Sequence, residues 1–209
     1  RIENVTKRFG GLVAVDDVTA EIAHGEMMAI VGPNGAGKTT LFNLINGVFF
    51  PDEGKIWFED VDVTRYPAYR RAHLGIGRTF QIPRPFGDAT VRENIAIGAM
   101  FGAAGSELTV GQSMVMADHY IGLIGLRAHR DKPAAGLTSV EKKLLEIARA
   151  LAMKPRLLLM DEAMKFAGKL AAASRPAMAA TKRLFHEVAD LSLEEALAQL
   201  PATAPPLRG

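Results

Sequence analysis

The chain contains no cysteine, which excludes disulfides and thiolate chemistry and fits a reducing compartment. A dominant charge is also missing. The formal net charge is +2, too small to attract a nucleic-acid partner by electrostatics. No apolar run approaches the roughly 18 residues that span a bilayer, so any membrane association is expected to come through a partner protein. The first residues, Arg1-Ile2-Glu3-Asn4, show neither an initiator methionine nor a signal-peptide pattern, and a trimmed start is expected. What is present is ordinary for a globular protein. The chain has 209 residues, 48% apolar and 23% charged, enough for one good core with an appendage.

Residues 28–42 organise the rest. They contain Gly32-x-x-x-x-Gly37-Lys38-Thr39, a phosphate-binding loop pattern. An apolar run at 27–31 predicts the strand entering the loop. Leu41, Phe42, Leu44 and Ile45 predict the helix leaving it. Glycines let backbone N–H groups turn towards phosphate oxygens without Cβ clashes, and the helix start adds a positive dipole end. Lys38 has the reach for the β- and γ-phosphates, and the Thr39 hydroxyl is a ligand for Mg²⁺.

The remaining elements follow in order. Short strands are predicted at 2–5 and 13–18 around Gly10-Gly11, and another at 55–58 after the turn Pro51-Asp52-Glu53-Gly54. A turn is expected over 60–64, then a short helix over 66–74 with Arg70 and Arg71 exposed, then a strand over 75–80 that ends at Gln81. Thr90-x-x-Glu93 is a capping box opening a helix, and a second helix is predicted within 114–126. Thr138-x-x-Glu141 opens a third, whose apolar face comprises Val140, Leu144, Ile147, Ala148 and Leu151. The run at 156–160 reads as a buried strand ending in Asp161-Glu162, either a metal-binding acidic pair or a solvated strand end.

Taken together, these motifs and their order resemble the ATPase subunits of ABC transporters over residues 1–164. The wording is nearest to the branched-chain amino-acid importer branch. The resemblance implies an α/β P-loop fold: a mostly parallel central sheet, a small antiparallel β layer and a helical subdomain, with a helical C-terminal tail in this chain. It implies that Phe9 stacks on adenine with Val15 beside it, although Phe9 also reads as an ordinary core aromatic. Asn34, Gly35, Ala36, Gly37, Lys38, Thr39 and Thr40 would hold the phosphates of ATP. Thr39, Gln81 and Asp161 would hold Mg²⁺, and Gln81 and Glu162 would act on the attacking water. The implied partners are membrane subunits and a second ATP-binding subunit, with the chain peripheral on the cytoplasmic face. The helical segment would grip the membrane subunit, with Met114 and Met116 as adaptable contacts or as core fillers.

Two departures stand out. Leu137-Thr138-Ser139-Val140-Glu141 occupies the place of the family's Leu-Ser-x-Gly-Gln signature. Val140 there replaces a glycine, and Glu141 brings negative charge to a phosphate-contacting helix start. Beyond Met164 the family's continuation, including a switch histidine, is absent, and His186 lies in an amphipathic helical pattern instead. Residues 165–200 read as a helical appendage weakly resembling the C-terminal helices of the enoyl-CoA hydratase/isomerase family. Residues 201–209 read as a disordered tail, which suggests a join at Met164/Lys165. Two functions are therefore expected: an energy-coupling ATPase, or a nucleotide-binding remnant deficient in hydrolysis.

Overall fold

The computed structural model describes residues 1–26, 28–80, 82–103 and 108–160. Gly10 takes φ 57°, a left-handed conformation open to glycine, and reverses the chain between two antiparallel strands. These are β1 (Ile2–Phe9) and β2 (Leu12–Ala20), both longer than their β-branched centres suggested. β3 (Glu53–Phe58) pairs antiparallel with the other side of β1, and β4 (Val61–Asp62) pairs with Trp57 and Phe58. The sheet order is β2-β1-β3-β4. The turn expected over 60–64 thus contains a two-residue strand, formed by cross-strand pairing rather than by local propensity. Helix α1 (Lys38–Ile45) covers this layer, and Leu44 joins Ile2, Val5, Val15, Ile56 and Val63 in its core.

A second core lies among three helices: α3 (Val91–Phe101), α4 (Val110–Leu123) and α5 (Ser139–Ala152). Each opens with a complete capping box, Thr90/Glu93, Thr109/Gln112 and Thr138/Glu141. The reciprocal side-chain and backbone bonds satisfy donors that the first helical turn leaves unpaired. α4 runs through Gly122 without a break, because Met116, Ala117, Tyr120 and Ile121 bury one stripe of it. Met116 is therefore core, while Met114 is only partly buried against it. Asp118 of α4 ties the layer together, accepting from Arg92 at 2.7 Å and from Arg130 at 2.6 Å.

The two layers meet at a parallel pair. α2 (Ala68–Leu74) leads into β5 (Ile76–Thr79), and α5 leads into β6 (Leu157–Met160), in register from Ile76↔Leu157 to Thr79↔Met160. The α/β class, the antiparallel layer and the helical layer follow the sequence reading, while of the expected mostly parallel central sheet the described residues contain the two-stranded β5-β6 pair. Three expectations do not hold. Val140, expected on the apolar face of α5, is 64% exposed because it stands in the first turn, outside the stripe that packs on the helical core. Residues 28–31 form no strand, and Val31 is 86% exposed, because no described residue offers them a hydrogen-bonding partner. Arg71, expected at the surface beside Arg70, is completely buried. The proposed helical appendage at 165–200 and tail at 201–209 lie outside the described residues.

Candidate nucleotide-binding site

The phosphate loop ends where α1 begins. Gly35 and Gly37 take φ 84° and 78°, left-handed angles that disfavour a side chain. At Gly37 a Cβ would collide with the Ala14 carbonyl oxygen of β2, so the loop is pressed against the β layer there. Gly37 caps α1 with no side-chain hydrogen bond, and the first turn holds no acidic residue. The N–H groups of that turn and the positive dipole end are therefore left for an anion. The Lys38 ammonium folds back, donating to the Gly32 and Pro33 carbonyls at 2.6 Å each. This contact draws the loop into a ring with a positive charge at its centre. Asn34, Gly35, Ala36 and Thr39 are exposed, and Thr40 is half-buried in the first turn.

Of the two residues implied to face the base, Val15 lies beside the loop and Phe9 ends β1. Val15 is buried, with its Cγ2 3.6 Å from the position a Gly37 Cβ would take. Phe9 is 42% exposed and is not a core residue. Its ring packs edge-on against Phe49 at 5.3 Å with Lys7 Nζ 5.5 Å from its centroid, leaving area for a planar partner. Val15 thus meets the loop, and Phe9 lies two residues beyond Lys7, the β1 residue that pairs with Val15.

Sequence reasoning missed what holds α1 at its other end. The Arg71 guanidinium donates to the Leu44 and Ile45 carbonyls at 2.7 and 2.8 Å, and to Tyr66 and Thr64 at 2.8 and 3.1 Å. A cation at a helix C-terminus meets the negative dipole end as well as the orphan carbonyls. Burial pulls this guanidinium down to about 10, which leaves it protonated at neutral pH. No local pattern marks the residue, since two of its acceptors lie 26 and 27 positions away. Asn43 of α1 also accepts from Arg78 of β5 at 2.6 Å.

At the signature position the helix start is already occupied. Glu141 accepts from the Thr138 amide and hydroxyl at 2.8 Å each and lies 3.3 Å from His129 Nδ1. The hydrogen bonds from Thr138, aided by nearby positive charge, hold its carboxyl below the usual range. Val140 projects into solvent, 64% exposed.

Gln81, Asp161 and Glu162, the implied metal and water residues, lie outside the described residues. Among the described residues no group of three or more His, Cys, Asp or Glu could hold a metal ion. Thr39 is the one implied Mg²⁺ ligand that is described, and its place on the open first turn fits a metal bound through a phosphate. No described helix is long and apolar enough to cross a membrane.

Comparison with known proteins adds to this geometry. A family model, the ABC transporter, matches residues 15–165. A probable branched-chain amino acid transport ATP-binding protein, LivG, of Methanocaldococcus jannaschii is 35% identical over 179 residues. The match takes in 78% of this chain and 66% of that protein. A sulfate/thiosulfate import ATP-binding protein, CysA, of Gloeobacter violaceus is 37% identical over 186 residues, 89% of this chain and 51% of that one. The crystal structure of the ADP conformation of an ATP-binding cassette of an ABC transporter superposes with a TM-score of 0.66 at 33% identity. That alignment covers 91% of this chain and 75% of the other. The chain thus spans 66% and 51% of the length of these two curated relatives. With its phosphate loop, its paired layers and these matches, the chain belongs to the ABC transporter family, as an ATP-binding domain.

Proposed function

We propose that the chain binds MgATP and serves as the energy-coupling subunit of an importer for branched-chain amino acids. The observation that carries this reading is the uncapped α1 start, with Lys38 drawn into the loop and Gly37 seated on β2. The adenine would lie on Phe9 beside Val15. The phosphates would lie on the 34–40 backbone, and Thr39, Gln81 and Asp161 would hold Mg²⁺, which would neutralise charge on the transferred phosphoryl group. Glu162 would take the proton of the attacking water and Gln81 would orient it. The amino-acid substrate is supported by the name of the archaeal relative. The sulfate importer at comparable identity gives a second substrate class to test. Membrane subunits and a second ATP-binding subunit complete the proposed assembly, with this chain on the cytoplasmic face.

A specific observation favours a second reading, a nucleotide-binding module without turnover. The signature helix start carries its own carboxylate, and Val140 stands where close backbone approach to a phosphate is needed. One assay separates the two. Steady-state phosphate release is measured for the wild type, Lys38→Ala and Glu162→Gln. Release abolished by either substitution supports the ATPase. Background release in all three supports the module.

A further inference from the structure

A buried acid on α5 has no role in the site described above. Glu146 is 2% exposed, yet its carboxylate does not cap its own helix. One oxygen accepts from the Phe80 amide at 3.1 Å, across 66 positions of sequence, and the other meets Lys143 Nζ at 2.9 Å. Lys143 in turn donates to the Phe80 carbonyl oxygen. Both backbone polar groups of one residue, Phe80, just past the end of β5, are thus held by two charged side chains one turn apart on α5. Such charge-assisted bonds are roughly twice as strong as neutral ones, and leaving the carboxylate unpaired at this burial would be costly.

The other side of Phe80 leads to the phosphate loop. The Arg78 guanidinium lies 5.0 Å from the Phe80 ring centroid and donates to Asn43 of α1 at 2.6 Å. α1 therefore connects to α5 through Asn43, Arg78, Phe80 and the Glu146–Lys143 pair, with no gap between successive contacts. Downstream the chain stays tied to the helical layer. Arg149 donates to the Arg84 carbonyl at 3.2 Å, and Asn94 grips the Phe86 amide and carbonyl at 2.8 and 3.0 Å.

We infer that Glu146 and Lys143 are positioning residues that fasten the end of β5 to α5, so that a displacement of α1 on nucleotide binding reaches the helical layer through Phe80. This deepens the proposed ATPase function and rests on it for its kinetic consequence. Rigid elements joined by discrete polar contacts can carry coupling of this kind, but only a measured coupling establishes it.

The test has two arms on the full chain. In the kinetic arm, Glu146→Ala should lower phosphate release about tenfold or more while MgATP affinity stays within about twofold. Glu146→Gln keeps an oxygen acceptor for the Phe80 amide and should recover most of that loss. In the nucleotide-free arm, amide exchange at Phe80 is measured by NMR. Glu146→Ala should accelerate it about tenfold, and Asn43→Ala, which does not touch Phe80, about threefold. Wild-type turnover in Glu146→Ala, or parallel loss of affinity and turnover, would overturn the proposal. So would an unchanged Phe80 exchange rate in Asn43→Ala. Were the wild type to release no phosphate, the ATPase reading alone would fail, and the exchange arm would still decide the relay.

Discussion

Replacing Arg71 by methionine should destabilise the protein by about 3 kcal/mol. Methionine fills much of the same space but donates nothing. Four carbonyl oxygens lose a donor, those of Leu44, Ile45, Tyr66 and Thr64. The Leu44 oxygen keeps a second partner, the Gly47 amide at 3.2 Å, and is discounted. The other three lose a charged donor; the Thr64 bond is buried and those to Ile45 and Tyr66 are partly buried, and a fully buried acceptor left unpaired costs about 1–3 kcal/mol. Against that sum, methionine removes the cost of burying a cation, worth several kcal/mol. The balance is a net loss of about 3 kcal/mol. For a chain of this size that lowers the melting temperature by about 6–12 °C. Urea unfolding followed by circular dichroism measures it, and Arg71→Lys, with three donors instead of five, should fall between the two. A melting temperature within about 1 °C of wild type in Arg71→Met would refute the reasoning.

Three further predictions concern other parts of the molecule. Gly37→Ala forces a Cβ onto the Ala14 carbonyl at a left-handed φ, and should cost about 1–3 kcal/mol of stability together with nucleotide binding, read by melting with and without MgATP. Thr138→Ala removes the α5 cap and should cost about 1 kcal/mol in urea unfolding. Asp118 sits half-buried between Arg130 and Arg92. Burial opposes its ionisation, but the hydrogen bonds from these arginines win and hold its carboxyl below the ordinary value. A depressed folded-state value means this stabilisation is complete above about pH 4 and is lost as pH falls further. Asp118→Asn should therefore be less stable than wild type at neutral pH, and the gap should narrow below about pH 4.

What was legible in the sequence was local. The capping boxes at Thr90 and Thr138 and the turn at Gly10 depend on residues within a few positions of each other, and all three form. The phosphate loop was legible for the same reason, because its chemistry is carried by consecutive residues. What was missed was non-local. Arg71 reads as exposed in the sequence because its acceptors at the end of α1, Leu44 and Ile45, lie outside any window around α2. Glu146 and Phe80 meet across 66 positions, and a glutamate inside a helix reads as solvated unless its partner is known. The strand expected at 27–31 differs in the opposite sense, since its described residues 28–31 form none. Its apolar composition was right, but a strand is made by its neighbour, and β5 and β6 pair with each other instead. The exposure of Phe9, by contrast, sets aside its reading as an ordinary core aromatic.

The central claim is that the 34–40 backbone and Lys38 bind the phosphates of ATP. Isothermal titration of MgATP into the wild type and Lys38→Ala tests it most directly. The account predicts saturable binding near one nucleotide per chain, weakened about a hundredfold or more by the substitution, equivalent to about 2.7 kcal/mol. No binding to the wild type, or equal affinity in the two proteins, would contradict it.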